Sequence, residues 1–170
     1  MKTLINYSLL LVILVFVSFR NLEKKADIQE KGASDGRDLP GIVFNAMKLN
    51  DFDQVVNYIP GEAELEFLQK SASKKSRYLY DQTEAERIKA EAKLSFDKIV
   101  EEGVKMQINW SDAEITESGI EKTDSPDKRI SKGWFIIQDR KENQMKVSFD
   151  VIRVKNKWFA FRGFNLEDKK

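Results

Sequence analysis

Two residue types are missing from this chain altogether, cysteine and histidine. Without cysteine there is no disulfide, no thiol nucleophile and no lipid attachment through a thioether. Without histidine the usual general base and the commonest metal ligand are gone. That excludes zinc enzymes and most hydrolase chemistry, so no metal and no cofactor is expected. Net charge is nearly absent too: 29 basic and 28 acidic residues leave +1. No global field draws the chain to nucleic acid or to an anionic surface. Proline is scarce, and Pro40, Pro60 and Pro126 fall where elements start, stop or turn.

What is present, 41% hydrophobic and 34% charged residues in 170, suits one globular domain with an appendage. The appendage is the start, MKTLINYSLLLVILVFVSF. Its apolar run is densest over 9–19, the length of a signal-peptide core, and counted over 4–19 it reaches roughly 24 Å as a helix. That is marginal for a span, and no small-residue cleavage site follows. Residues 1–19 therefore read as a signal peptide or a retained anchor. The cations Arg20, Lys24, Lys25 and Lys31 after the run favour a cytoplasmic C-terminus, whereas the short basic start is that of exported proteins. Export is the expectation, to the periplasm or the outer face of the cytoplasmic membrane, with residues 4–19 in the membrane if uncleaved. Residues 20–38 read as a charged, flexible linker, and 39–167 as the folded domain.

The domain opens with helices. Asp38, Leu39 and Pro40 start the first, with Val43, Ala46 and Met47 inside and a break at Asn50. Phe52, Val55, Val56 and Ile59 keep helical spacing up to Pro60, and a third short helix over 62–69 buries Leu65 and Leu68. The run KSASKKSR at 70–77 reads as a solvated basic loop, since it has no glycine cradle and no interleaved aromatics. The longest helix is expected over 81–102, with a Thr83/Glu86 capping box and Gly103 as C-cap glycine. Its inner stripe is Ala85, Ile88, Ala92, Phe96 and Ile99. Residues 104–110 alternate as a first strand, with Met106, Ile108 and Trp110 together, and a polar connection leads from there to the last third.

Residues 129–166 organise the rest. They read as three strands with tight turns at 139–143 and 155–157, Asn156 being suited to a left-handed conformation. Met145, Val147, Phe149 and Val151 share one face of the middle strand, opposite Lys146, Ser148, Asp150 and Ile152. The outer two strands are aromatic on both faces. In the last of them Trp158, Ala160, Arg162 and Phe164 face one way, and Phe159, Phe161 and Gly163 the other. Either the sheet curls strongly or its second face is buried on another chain. The fold class expected is α+β, with N-terminal helices, one of them long, packed on a curved four-stranded antiparallel sheet and preceded by an N-terminal hydrophobic helix.

The stretch AMKLNDFDQVVNYIP resembles the opening helices of small exported bacterial domains of the nuclear transport factor two-like (cystatin-like) fold. The ending KVSFDVIRVKNKWFAFRGF resembles their last hairpin. The resemblance spans about residues 40–166 and implies a cone enclosing a pocket, with frequent pairing through the outer sheet face. Many members place a strand between the early helices, and none is read here. The fold carries no single function.

An enzyme on such a fold needs a carboxylate or tyrosine in the pocket. Asp150, mid-strand among apolar neighbours, is the candidate, against the alternative that it faces solvent beside Lys146 or pairs across strands with Arg162. Trp110, Trp134, Trp158 and Tyr80 are the candidate ligand-lining residues, with Tyr78 a further one at a pocket mouth; each also serves as ordinary packing. The function expected is a non-catalytic exported domain that binds a small apolar ligand or a protein partner, with a homodimer through the sheet face and no nucleic acid. The alternatives are an isomerase- or dehydratase-type pocket enzyme and an anchored subunit of an envelope complex.

Overall fold

The computed structural model divides the chain into two units, Met1–Glu30 and Lys31–Lys170, and describes residues 31–167. The apolar run at 4–19 and most of the expected linker lie outside the described residues. Among those described, no helix is long and apolar enough to cross a membrane. Four helices come first, α1 (Leu39–Leu49), α2 (Asp53–Val56), α3 (Glu62–Ser71) and α4 (Ala85–Lys105). The strands β1 (Glu114–Lys122), β2 (Ile130–Gln138), β3 (Gln144–Val154) and β4 (Lys157–Glu167) follow and form one antiparallel sheet in sequence order. The fold is α+β.

The helices arise where the apolar spacing places them. Asn50 ends α1 in the left-handed conformation, at φ 51°. The Asp51 carboxylate then accepts the Asp53 N–H at 3.1 Å and the Gln54 amide at 3.0 Å. The Glu64 carboxylate accepts the Gly61 N–H at the start of α3. The stripe Ala85, Ile88, Ala92, Phe96 and Ile99 is buried, while Lys93–Asp97 and Arg87, held between Glu84 and Glu91, charge the far side of α4.

One face of the sheet is filled by a row of aromatic rings. Phe44 of α1 meets Phe135 of β2 at 6.1 Å between centroids, Phe135 meets Phe149 of β3 at 6.4 Å, and Phe149 stacks on Phe164 of β4 at 5.4 Å. This row crosses the inner face from helix to edge strand, and Phe135, Phe149 and Phe164 are buried in it. Gly133 permits it, because a Cβ there would lie 3.0 Å from the Phe149 ring.

Several expectations need correction. Residues 104–110 are not a strand. Helix α4 runs on to Lys105, Gln107 turns left-handed at φ 63°, and Ile108 and Trp110 are buried from an irregular loop that folds under the helix, with Met106 exposed. Two inward side chains at i and i+2 fit such a loop as well as a strand. Gly103 is not a C-cap; it lies inside α4 beneath Trp110. The true first strand, EITESGIEK, sits at the sheet edge with mostly exposed side chains and a bulge after Ile115, so it lacks the apolar alternation that reveals a strand. Asp81, not a Thr83/Glu86 box, caps the start of the long helical segment: its carboxylate accepts the Thr83 N–H at 2.9 Å ahead of a 3-10 turn. In the β3–β4 turn Lys155, not Asn156, takes positive φ, at 55°, because the Val154–Lys157 register sets which loop position must invert.

The aromatic crowding of β4 has a local cause. Its register to β3 steps from Ser148–Asn165 to Asp150–Arg162 and then to Val151–Ala160, so β4 carries extra residues near Gly163, at φ 65°, and near Phe161. Bulges bend a strand and re-aim its side chains. Phe164 is thereby turned to the inner face and parts from Arg162, with which strict alternation groups it. At the far end, Val154 and Phe159 share a groove with Phe67 of α3. Folding also starts before residue 39: Ala33 pairs with the backbone of Trp158 at 2.8 Å, and Gly36 is buried against the Trp158 ring.

Candidate functional site

The other face of the sheet, opposite the aromatic row, carries the densest polar chemistry. Regular pairing of β2 and β3 sets Lys132 opposite Asp150, Trp134 opposite Ser148, and Ile136 opposite Lys146. Pairing of β3 with β4 adds Glu167 beside Lys146 and Arg162 beside Asp150. Strand periodicity puts the β2 and β3 side chains on one surface, and the register shifts of β4 bring Arg162 and Glu167 to it.

Glu167 is its hub. Its carboxylate accepts from Lys132 Nζ at 2.9 Å, Lys146 Nζ at 2.9 Å and Ser148 Oγ at 2.6 Å. Those bonds, led by Lys146 and Ser148, pull the Glu167 carboxyl down to about 2. Ser148 is fully buried beneath the ion cluster. Lys146 also stands 5.3 Å from the Trp134 ring centroid. The indole lies against Gly119 of β1, where a Cβ would come within 3.1 Å, so it is held flat between a glycine and an ammonium.

Asp150 is the group without a partner. It forms no hydrogen bond or ion pair among the described residues, and both flanking cations are engaged elsewhere. Lys132 is bound to Glu167, and Arg162 donates to the Leu79 carbonyl at 2.9 Å while lying 4.6 Å from the Phe161 ring centroid. Burial raises the Asp150 carboxyl above its ordinary range, partly offset by the nearby charges of Lys132 and Arg162. A half-buried carboxylate with free acceptor positions, on the same sheet face as the Trp134 indole and diagonal to it across β2 and β3, can take one hydrogen-bond donor. It lies on the open sheet face and not in an interior pocket; across the strands it is in register with Lys132 and Arg162, and Lys146 lies further along.

The aromatic candidates do not converge. Only Trp134 belongs to this face. The Trp110 Nε1–H donates to the Val100 carbonyl at 3.2 Å, under α4. Trp158 packs on Gly36, with Arg153 5.8 Å from its ring centroid. Tyr80 is fully buried against Phe161, with the Arg129 guanidinium 5.5 Å from its ring centroid. Among the described residues the Tyr80 hydroxyl has no partner at hydrogen-bonding distance; burial and the neighbouring Asp127 push its ionisation upward. Asp127 is gripped by Arg129 at 2.6–3.1 Å and held at about 2, and Arg129 reaches on to Ser71 Oγ at 2.7 Å. This group pins the end of α3 to the start of β2 and exposes no chemistry. Tyr78, in contrast, is 74% exposed.

The clefts are open and elsewhere. One of about 430 Å³ separates α4 from the end of β4, lined by Ser95, Lys98, Glu102, Phe164 and Leu166. Another of about 600 Å³ lies where Asn50 meets Val100 and Val104. Neither is lined by any residue singled out from the sequence as a site candidate. Among the described residues no group of three acidic side chains could hold a metal ion. Glu167 and Lys132 went unnoticed in the sequence, while Ser148 was read only as one member of the alternation Lys146, Ser148, Asp150, the signal that a polar face existed. Comparison with protein-family models, with curated proteins and with solved structures finds no match in any of the three.

Proposed function

We propose that the chain is an exported, non-catalytic interaction domain, a shallow cone of the nuclear transport factor two-like kind, whose working surface is the sheet face around Trp134 and Asp150. The observation that carries this reading is the filled interior. The row Phe44, Phe135, Phe149 and Phe164 occupies the space in which such a cone would hold a small apolar ligand. Recognition then falls to the opposite face, where Trp134 supplies apolar contact and Asp150 an unmet acceptor. The first occupant of that face is a second copy of the chain, paired sheet to sheet. An anchored subunit of an envelope complex would use the same face.

Sedimentation of the full chain tests the reading. A dimer whose dissociation constant rises at least tenfold on Trp134→Ala, with unchanged unfolding cooperativity, supports the reading; one whose dissociation constant does not change is held by another face and overturns it. A monomer that carries a bound small molecule in native mass spectrometry overturns it. The enzyme alternative would have Asp150 act from an open surface. Unchanged ligand affinity and activity in Asp150→Asn removes it.

A further inference from the structure

The segment 67–80, FLQKSASKKSRYLY, contains no acidic residue, although acids make up 28 of the 170 residues. Of its four cations Lys70 is paired with Glu66. Lys74, Lys75 and Arg77 are exposed, and their side chains make no ion pair or hydrogen bond among the described residues. Elsewhere several cations answer carboxylates, among them Lys31 with Glu64, Lys93 with Asp97, Lys105 with Glu102, and Lys132 and Lys146 with Glu167. Of the exposed cations outside these pairs, Lys98, Lys122, Lys128 and Lys141 each stand next to an acidic residue in the chain. Beside the three free cations stands Tyr78, 74% exposed, a large aromatic that nothing among the described residues covers.

The loop is nevertheless well held. Ser76 is buried and its hydroxyl meets that of Ser73 at 2.9 Å, while the Ser73 carbonyl accepts the N–H groups of Ser76 and Arg77 at 3.1 and 3.0 Å. Arg129 ties Ser71 to the sheet at 2.7 Å. The three cations and the tyrosine are therefore presented from a fixed platform, which lowers the ordering cost of binding.

We infer that this loop docks on an anionic phospholipid surface, with Lys74, Lys75 and Arg77 facing headgroup phosphates and Tyr78 seated at the interface. Clustered cations without carboxylate partners match a sheet of phosphates, and a tyrosine with one apolar and one polar end prefers the headgroup level. The occupant is a membrane and not a nucleic acid, since a single exposed ring offers no succession of stacking platforms. The inference goes beyond the sheet-face reading and stands independently of it.

Because the chain has no cysteine, Gln69→Cys in the full chain, just ahead of the loop and outside the contacts that hold it, gives one labelling site for an environment-sensitive fluorophore. The labelled protein is mixed with vesicles of phosphatidylcholine alone or with about a third phosphatidylglycerol. A blue shift confined to the anionic vesicles and reversed by salt is the expected result. Lys74→Glu, Lys75→Glu and Arg77→Glu together should lower the phosphatidylglycerol-dependent response by roughly a hundredfold, and Tyr78→Ala by a few-fold. A probe that ignores lipid charge although the protein sediments with vesicles overturns the inference. So does a response that survives the triple substitution, or tighter binding of single-stranded DNA than of vesicles at equal phosphate.

Discussion

Replacing Gly103 by alanine isolates the packing that closes the end of α4. In an ordinary helix interior the change stabilises by about 1 kcal/mol. Here the new Cβ would lie 2.6 Å from Trp110 Cζ2 and 3.0 Å from Cε2. The obstacle is a rigid indole, only 9% exposed, whose Nε1–H donates to the Val100 carbonyl one turn away. Relief requires the ring to move, which strains the core by about 1–3 kcal/mol and leaves a buried N–H unpaired at a further cost of about 1–3 kcal/mol. Net destabilisation of about 1–5 kcal/mol is expected, read as a lower urea midpoint at constant slope. Loss alone would also follow from a C-cap glycine, so the decisive measurement is the same substitution in a Trp110→Leu background. With the indole gone, Gly103→Ala should turn stabilising by about 0.5–1 kcal/mol. Equal destabilisation in both backgrounds would refute the packing argument and restore a backbone requirement.

Other outcomes follow from the same structure. Phe149→Ala removes the middle of the aromatic row and should cost about 3–5 kcal/mol; a loss under about 1 kcal/mol by urea titration would mean that the inner face is not close-packed. Gly32 has φ 80°, and a methyl group on its Cα would stand 2.7 Å from the Phe159 ring. Gly32→Ala should therefore cost about 1–2 kcal/mol, visible as a lower thermal midpoint. Asp127 and Glu167 both have carboxyls lowered to about 2 from 3.8 and 4.5, so their stabilisation is full above those unfolded values and vanishes as pH falls towards 2. Asp127 should account for about 2 kcal/mol of this at most, and Asp127→Asn should flatten that part of the stability-against-pH curve. Asp150 works in the opposite sense: its raised carboxyl opposes folding while ionised, and protonation relieves it as pH falls through the folded value. Asp150→Asn should therefore be neutral or mildly stabilising at pH 7, and a marked loss of stability would reveal a partner for the carboxylate.

Regular periodicity in the sequence identified the elements whose burial is one-sided. The stripe from Ala85 to Ile99 and the alternation from Met145 to Val151 each have one apolar face, and a single side-chain period is enough to read them. Local composition also located the breaks at Asn50 and Pro60 and the hairpin at 139–143, since turn chemistry acts within a few residues. Tertiary structure decided the rest. Whether residues 104–110 formed a strand depended on whether α4 stopped, and α4 continued because Trp110 could fold back over Gly103. The edge strand β1 exists because the backbone of β2 offers it hydrogen bonds, an interaction that leaves almost no trace in the side chains of 114–122. The polar face is likewise a product of register. Glu167 lies far along the chain from Lys132 and Lys146, and only the two bulges of β4 bring it to them while turning Phe164 inward. A face assembled from three strands, with a carboxylate whose neighbouring cations are bound elsewhere, follows from pairing across the sheet, and pairing across the sheet is not a local property of any stretch of sequence.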